Sequence, residues 1–301
     1  MLHKTKFKTG KEIKAEVVPH LSNIKVELIE APSLEQLNQW VPQFTCAAWG
    51  DKPAEGDNYE ALKDRAVDLM FEGKMLPTVL EGINLVFCVS GMDLTDATHL
   101  IRHRTLSFSA QALGDRDMRE DRLLCKESIL EDDEFTKRSQ ELYKQSLELY
   151  ADMLDSGRVN SFDARTVLPR GMETYYYVRG NLKDILHMID LRLDRHIHPQ
   201  SDNIIAAKMY LELCKIYPQL IGRFDLHRAD KFYAKVATSD VGHNIFPPNG
   251  LTAPLLEGKD IAPCTHPIHR DSYPGGTNFY MMMVNIAAEL DMLKRNYEKD
   301  K

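Results

Sequence analysis

Apolar positions recur along this chain at two spacings, and changes of spacing mark its elements. Residues 24–31, IKVELIEA, alternate apolar and polar side chains, the two-residue period of a strand with one covered face. LEQLNQWVPQFTCAAW (34–49) is patterned as an amphipathic helix, with Pro42 as a point of break or kink. A clearer helix is predicted over 58–73, NYEALKDRAVDLMFEG, with Leu62, Ala66, Leu69 and Met70 on one face and Gly73 as its stop. INLVFCVSG (83–91) reads as a buried strand. Asp93 or Thr95 can cap a helix running through Ala97, Leu100 and Ile101 into Arg102.

The second half is richer in helices. A long one is expected over 136–157, with Leu142, Leu147, Tyr150 and Leu154 facing the core. Thr174 to Val178 is patterned as a strand. Leu182 to Leu193 follows as a helix whose apolar face carries Leu182, Ile185, Leu186, Ile189 and Leu193. IIAAKMYLELCKIYPQL (204–220) and TNFYMMMVNIAAELDMLKRNYEK (277–299) complete the helices, and the Met-rich stripe of the last suits a core or a subunit contact. Between them, 225–275 crowds Pro, Gly, His and Asn into an irregular excursion, expected to cover a site or an interface. The domain reading is a catalytic domain over 1–224, with 225–301 as an extension and terminal helix packed on it.

Length and charge narrow the functional classes. A chain of 301 residues has ample material for a core, and a net charge of −7 argues against a general nucleic-acid binder. Five scattered cysteines without CxxC pairs suit a reducing compartment. The opening MLHKTKFKTGKEIK lacks the apolar core of a signal peptide, and no run approaches 18 apolar residues. A cytoplasmic protein without membrane spans is expected.

Against this acidic background, Arg102-His103-Arg104 at the end of an apolar helix is conspicuous. Cations are favourable at a helix C-terminus by about 0.3–1 kcal/mol, which accounts for one or two of them. Consecutive helical residues point about 100° apart, so one of the three must turn inward or sit where the helix ends. Arg165 in ARTVLP and Arg192 at the end of ILHMIDLR also stand in apolar register, where an arginine needs a partner. Salt bridges to the 45 acidic residues and a converging anion site are both open at this point. His196 and His198, and Cys264, His266 and His269, have ligand chemistry but lack the second half of a closed zinc site, so no metal is expected. No GxGxxG, GxxxxGK or GxSxG motif occurs.

Taken together, these segments resemble the flavin-dependent thymidylate synthases, the ThyX family. RHRTLSF matches the first half of the family block RHRxxSxNxxSxR, with Ser107 in register. ARTVLPRGMETYYYVRGNLKDILHMIDLR follows the family's ARxxLPxxxxTxxxxxxNxRxLxHFxxLR, with Arg165, Thr174, Asn181, His187 and Arg192 at family spacing. PTVLEGINLVF adds Thr78 three residues before Glu81. The resemblance implies an α+β fold, a central antiparallel sheet with packed long helices, and a homotetramer with sites at subunit interfaces. It implies FAD as cofactor, methylenetetrahydrofolate and NADPH as co-substrates, and dUMP as the pyrimidine deoxynucleotide that is methylated. By position, Thr78, Arg102, His103, Arg104, Asn181, Lys183 and His187 would contact FAD. His99, Arg102, Gln111, Gly114, Arg116, Arg165 and Arg192 would contact the nucleotide, with Arg192 as the catalytic residue that stabilises negative charge on the uracil ring.

Several positions depart from the pattern. Ala112 stands where the family has a phosphate-binding Ser, and the following Arg is reached only by sliding to Arg116. His99 replaces a Gln, and Met75-Leu76 replaces a FAD-contacting His. Lys183 replaces an Arg, keeping the charge without the bidentate fork. The family tail AQxEIR has become IHPQSDN, in which Pro199 is expected to disturb a continuing helix. The chain therefore reads as a divergent member. A pyrimidine hydroxymethylase and a non-catalytic nucleotide-binding relative remain alternatives to the methylating enzyme. A nucleic-acid binder using 102–119 is disfavoured by Asp115, Asp117, Glu120 and Asp121.

Overall fold

The computed structural model describes residues 13–47, 54–111, 115–193, 200–224, 226 and 276–300. In chain order the elements are β1 (Glu16–Pro19), α1 (His20–Asn23), β2 (Lys25–Glu30), α2 (Leu34–Cys46), α3 (Asp57–Leu62), α4 (Ala66–Phe71) and α5 (Thr78–Glu81). Then come β3 (Asn84–Met92), α6 (Leu94–Leu100), β4 (Ser107–Ala110), β5 (Arg122–Cys125), α7 (Glu127–Leu130), α8 (Asp133–Asp155) and α9 (Ser161–Ala164). Last are β6 (Thr174–Asn181), α10 (Leu182–Arg192), α11 (Gln200–Ile216) and α12 (Gly276–Asp300).

The main sheet has the order β2-β3-β6-β4 and is antiparallel throughout, as the α+β reading expects. A separate parallel pair joins β1 to β5. Alternation along β6 buries Thr174, Tyr176 and Val178 and exposes Tyr175 and Tyr177. The same alternation buries Leu85, Phe87 and Val89 of β3, so the covered face is continuous across both strands. Gly91 closes β3 with φ +70°, and a Cβ there would lie 1.9 Å from the Asn23 carbonyl oxygen, so only glycine fits this approach.

Helix α11 lies against the sheet and is almost entirely enclosed, from Ser201 to Cys214. A helix apolar nearly all round needs cover on every side, and α12 supplies one side by inserting Phe279, Met283, Ile286 and Leu290 into the same core. Each such side chain contributes about 1.5–3 kcal/mol on burial. A second, smaller core forms where α8 meets β5 and the 164–172 segment, around Met118, Leu123, Tyr143, Leu147 and Tyr150.

Several expectations need correction. The helix expected over 58–73 is two short ones, interrupted at Lys63–Arg65, and Val67 and Phe71 join Ala66 and Met70 in the core. Gly73 does stop it, at φ +73°. Pro42 lies within α2 without ending it; the proline is buried, and a Ser33–Gln36 capping box secures the helix start. Helix α8 begins earlier than expected, capped by Asp132. Leu147 and Tyr150 face the core as predicted, but Leu142 is 69% exposed and Tyr143 takes the inward place. Pro199 lies outside the described residues, between α10, which ends at Arg192, and α11, which begins at Gln200. The 225–275 excursion, with the Cys264, His266 and His269 group, lies outside the described residues apart from Leu226, as do His196 and His198. Among the described residues no helix is long and apolar enough to cross a membrane.

Candidate active site

Three helix ends meet beside the inner face of the sheet. Asp93 begins α6 through a capping box with Asp96, and this short helix is spent by Leu100. The chain then tightens through His103 N–H to the Leu100 carbonyl and Leu106 N–H to the His103 carbonyl. Arg102-His103-Arg104 therefore occupies a turn rather than a helix. Arg102 and Arg104 point to solvent, and the half-buried His103 is the member that turns inward.

His103 meets Arg192, delivered by the C-terminal end of α10. Arg192 Nε donates to His103 Nε2 at 2.8 Å, and Nη2 donates to the His99 carbonyl oxygen at 2.7 Å. Nη1 donates to Asp202 Oδ2 at 2.8 Å. Asp202 enters from the first turn of α11 and is fully buried, and the same oxygen lies 3.4 Å from His99 Nδ1. Asn203 Nδ2 donates to the Arg192 carbonyl oxygen, closing the end of α10 with a side chain of α11.

The electrostatics follow from burial. Desolvation, with the Arg192 and His187 charges, holds His103 down to about 4, so it is a neutral acceptor for Arg192 at physiological pH. Burial pushes Asp202 up to about 6 against the stabilising charges of Arg192 and His99. Burial, and then the Asp202 and Asp96 carboxylates, raise the Tyr176 phenol far above its ordinary value.

A cavity of about 770 Å³ opens beside α10, between α5 and the segment after α11. Met75, Leu80 and Leu186 give it apolar walls, Lys183, His187 and Arg223 bring polar and cationic groups to it, and Asp184 and Asp190 add carboxylates. Its size and lining suit a small-molecule site. Lys183 Nζ also pairs with Glu81 at 2.5 Å, across from α5.

The other predicted residues are dispersed. Asn181 caps α10, accepting from Asp184 N–H and donating to its carboxylate. Thr78 is exposed at the start of α5. Arg165 stands exposed on the turn after α9, its guanidinium 5.2 Å from the Phe162 ring centre. Arg116 is paired with Asp121 and donates to the Glu173 carbonyl oxygen. Gln111 N–H continues the β4–β6 pairing by donating to the Tyr175 carbonyl oxygen. Gly114 lies outside the described residues. Arg192 and His103 thus meet where α10 ends and the turn after α6 begins, whereas Arg165 is exposed next to Ala164 of the smaller core.

Sequence reading missed Asp202, whose pairing with Arg192 crosses ten residues and a change of helix. It also missed a buried cluster of His20, Asp93 and Asp96, whose ligand atoms lie within 4.8 Å of one another. Lys126 Nζ already reaches that cluster, 2.7 Å from His20 Nδ1 and 2.9 Å from Asp93 Oδ2. His20 Nε2 lies 2.6 Å from Asp96 Oδ2, and Ser201 Oγ donates to Asp96 Oδ1. The two carboxylates therefore have their cation in the protein itself, and the group is a structural network.

Residues 45–219 match the family model described as thymidylate synthase complementing protein. The chain belongs to this family. All the residues assembled around Arg192, Asp202 included, fall inside the matched region. The flavin-dependent thymidylate synthase of Pyrococcus furiosus is 27% identical over 179 residues, covering 56% of this chain and 70% of that protein. Its counterpart in Saccharolobus solfataricus is 38% identical over 88 residues, or 28% and 33% of the two chains. These identities mark a divergent member of the ThyX family. Among solved structures, the UMP/dUMP methylase PolB of Streptomyces cacaoi bound with 5-Br dUMP superimposes with a TM-score of 0.53 at 19% identity. It covers 72% of this chain and 97% of PolB. At that identity the likeness speaks to the fold, which the ThyX-type α+β arrangement shares.

Proposed function

We propose that this chain is a flavin-dependent enzyme that transfers a one-carbon unit to C5 of a pyrimidine deoxynucleotide. In this reading dUMP is the acceptor, methylenetetrahydrofolate the carbon donor and NADPH the reductant. The observation that carries it is Arg192, a buried guanidinium fixed through three nitrogens beside a histidine that stays neutral. A cation held in place before reaction stabilises charge developing on a bound ring without having to reorganise. The names of the relatives support the same chemistry: flavin-dependent thymidylate synthases and a UMP/dUMP methylase.

The residues present fit a flavin. The cavity beside α10 combines apolar walls suited to a flat aromatic group with Lys183, His187 and Arg223, which would meet its phosphates at a distance from the Asp184 and Asp190 carboxylates that also line it. Lys183 and His187 would hold it there, with Arg102, Arg104 and Thr78 as the further contacts implied by position. When bound, the flavin supplies the electron-transfer chemistry that side chains lack. Arg192 would face the uracil ring, and Arg116 and Arg165 would meet the nucleotide. Arg192 is buried at the end of α10 and Arg165 is exposed on the turn after α9, and in this reading a site that uses both is completed between copies of the chain, as in a homotetramer. Phe135, Leu142 and Leu149, seven residues apart and exposed along α8, offer an apolar stripe for such contacts.

The test is a visible absorption spectrum of the purified protein before and after FAD is added and the excess removed. Product analysis with dUMP or dCMP, methylenetetrahydrofolate and NADPH follows. A retained flavin band and 5-methyl product from dUMP are expected. A colourless protein that refuses FAD would favour the non-catalytic nucleotide-binding relative. A 5-hydroxymethyl product would replace methylation with hydroxymethylation.

A further inference from the structure

Asp202 has a cost that packing alone does not explain. A carboxylate buried at this depth is unfavourable, and replacing a buried ion pair by apolar residues of similar volume is often neutral or stabilising. The helix dipole at the C-terminal end of α10 also favours the Arg192 cation, but by at most about 2 kcal/mol, so Asp202 balances its charge as well. What the carboxylate adds beyond charge is geometry. His103 fixes the Nε edge of the guanidinium, the His99 carbonyl fixes Nη2, and Asp202 fixes Nη1. Three acceptors in three directions determine both the position and the plane of the group.

The acceptors come from different elements, so each transmits a separate restraint. Two belong to the end of α6 and the turn after it, and the third belongs to the first turn of α11. Asp202 Oδ2 also lies 3.4 Å from His99 Nδ1, so one oxygen addresses the arginine and the histidine whose carbonyl holds it. Ser201, the preceding residue, is bonded to Asp96 of α6, and Asn203, the following one, to the Arg192 carbonyl. The three consecutive side chains of Ser201, Asp202 and Asn203 thus tie α11 to both helices that frame the arginine.

We propose that Asp202 is a positioning residue for the reaction: its carboxylate sets the plane of the Arg192 guanidinium, so that this cation meets the pyrimidine ring as a rigid unit. The role rests on the functional reading above, since it assigns Arg192 to charge developing on the ring. Asp202 itself is fully buried and acts through the arginine it holds.

The experiment uses the full-length protein loaded with FAD and compares wild type with Asp202→Asn and Asp202→Glu in steady-state turnover of dUMP. Asparagine keeps shape and one acceptor but removes the charge; glutamate keeps the charge but moves it by one methylene. A misplacement of about 1 Å can cost on the order of 100-fold in rate. Asp202→Asn is expected to lower kcat by about 10- to 100-fold with the KM for dUMP within about threefold, the pattern of an interaction that matters in the transition state. Asp202→Glu is expected in between, about fivefold or more below wild type. Flavin occupancy and the circular-dichroism melt of each variant separate this pattern from simple unfolding. If Asp202→Asn does not fold, Asp202→Glu carries the test, and a wild-type kcat there overturns the proposal. A folded Asp202→Asn enzyme with wild-type kcat overturns it as well. Should wild type itself bind no flavin and turn over no dUMP, the functional reading fails and this role falls with it.

Discussion

At the scale of single residues, this protein keeps a few charges in its interior, each with partners drawn from distant parts of the chain. His20, fully buried, sits between Lys126 and Asp96. Burial by itself would raise the Asp96 carboxyl, yet the hydrogen bond and charge of His20, with Lys126 and Ser201, leave it below the ordinary carboxylate range. Removing one member strands the others in a medium that solvates them poorly. His20→Ala is therefore expected to lower unfolding stability by about 3 kcal/mol, read from urea denaturation. A midpoint equal to wild type would show that the pair contributes nothing. The inward turn of His103 has the same origin: the sequence shows that one member of Arg102-His103-Arg104 must leave the exposed face, but only the place of Arg192 decides which.

At the scale of elements, the assignments legible in the sequence are those with a clear period or a short β-rich run. β2 appears at its alternation, β3 and β6 at β-rich runs and α10 at its three-four spacing, because one face of each packs on the same core. α8 shows the limit of that reading. Leu142 and Leu147 are equally apolar, and a long amphipathic helix with apolar residues on more than one stripe does not say which stripe is covered. The smaller core covers Leu147 and Tyr143 and leaves Leu142 outside. Leu147→Ala should accordingly cost about 2–5 kcal/mol in thermal or urea unfolding, as a buried leucine does. Leu142→Asp should leave the far-ultraviolet circular dichroism intact and shift sedimentation velocity toward smaller species if the α8 stripe joins copies. A Leu147→Ala protein as stable as wild type would mean that the smaller core is misassigned.

At the scale of the whole molecule, the buried titratable groups set how stability responds to pH. Between about 4 and its ordinary 6.5, His103 stays unprotonated in the folded chain and takes a proton when the chain unfolds. Stability from this residue therefore rises with pH across that window and is lost as pH falls toward 4. Asp202 acts with the opposite sign. Between its ordinary 3.8 and about 6, the folded chain holds the proton more tightly, so stability falls as pH rises. The two oppose each other from about pH 4 to 6. His103→Asn removes the first contribution alone, so the stability difference between wild type and variant should widen as pH rises from 4 to 6.5, measured by chemical denaturation at each pH. Parallel curves for the two proteins would show that His103 titrates in the ordinary range.

What the sequence by itself determined is whatever depends on residues close in the chain. That includes the α+β composition of elements, the caps at Asp93 and Gly73, and the block from Arg165 to Arg192 whose spacing identifies the family. Such features follow from local backbone and side-chain geometry, which a single stretch contains in full. What only the tertiary structure decided is how groups far apart in sequence share one low-dielectric interior. Asp202 meets Arg192 and His99 because α11 folds back over the ends of α6 and α10. Lys126 meets His20 across 106 residues. Charges in such a place persist only with partners, and no local pattern names a partner that the chain brings in from elsewhere.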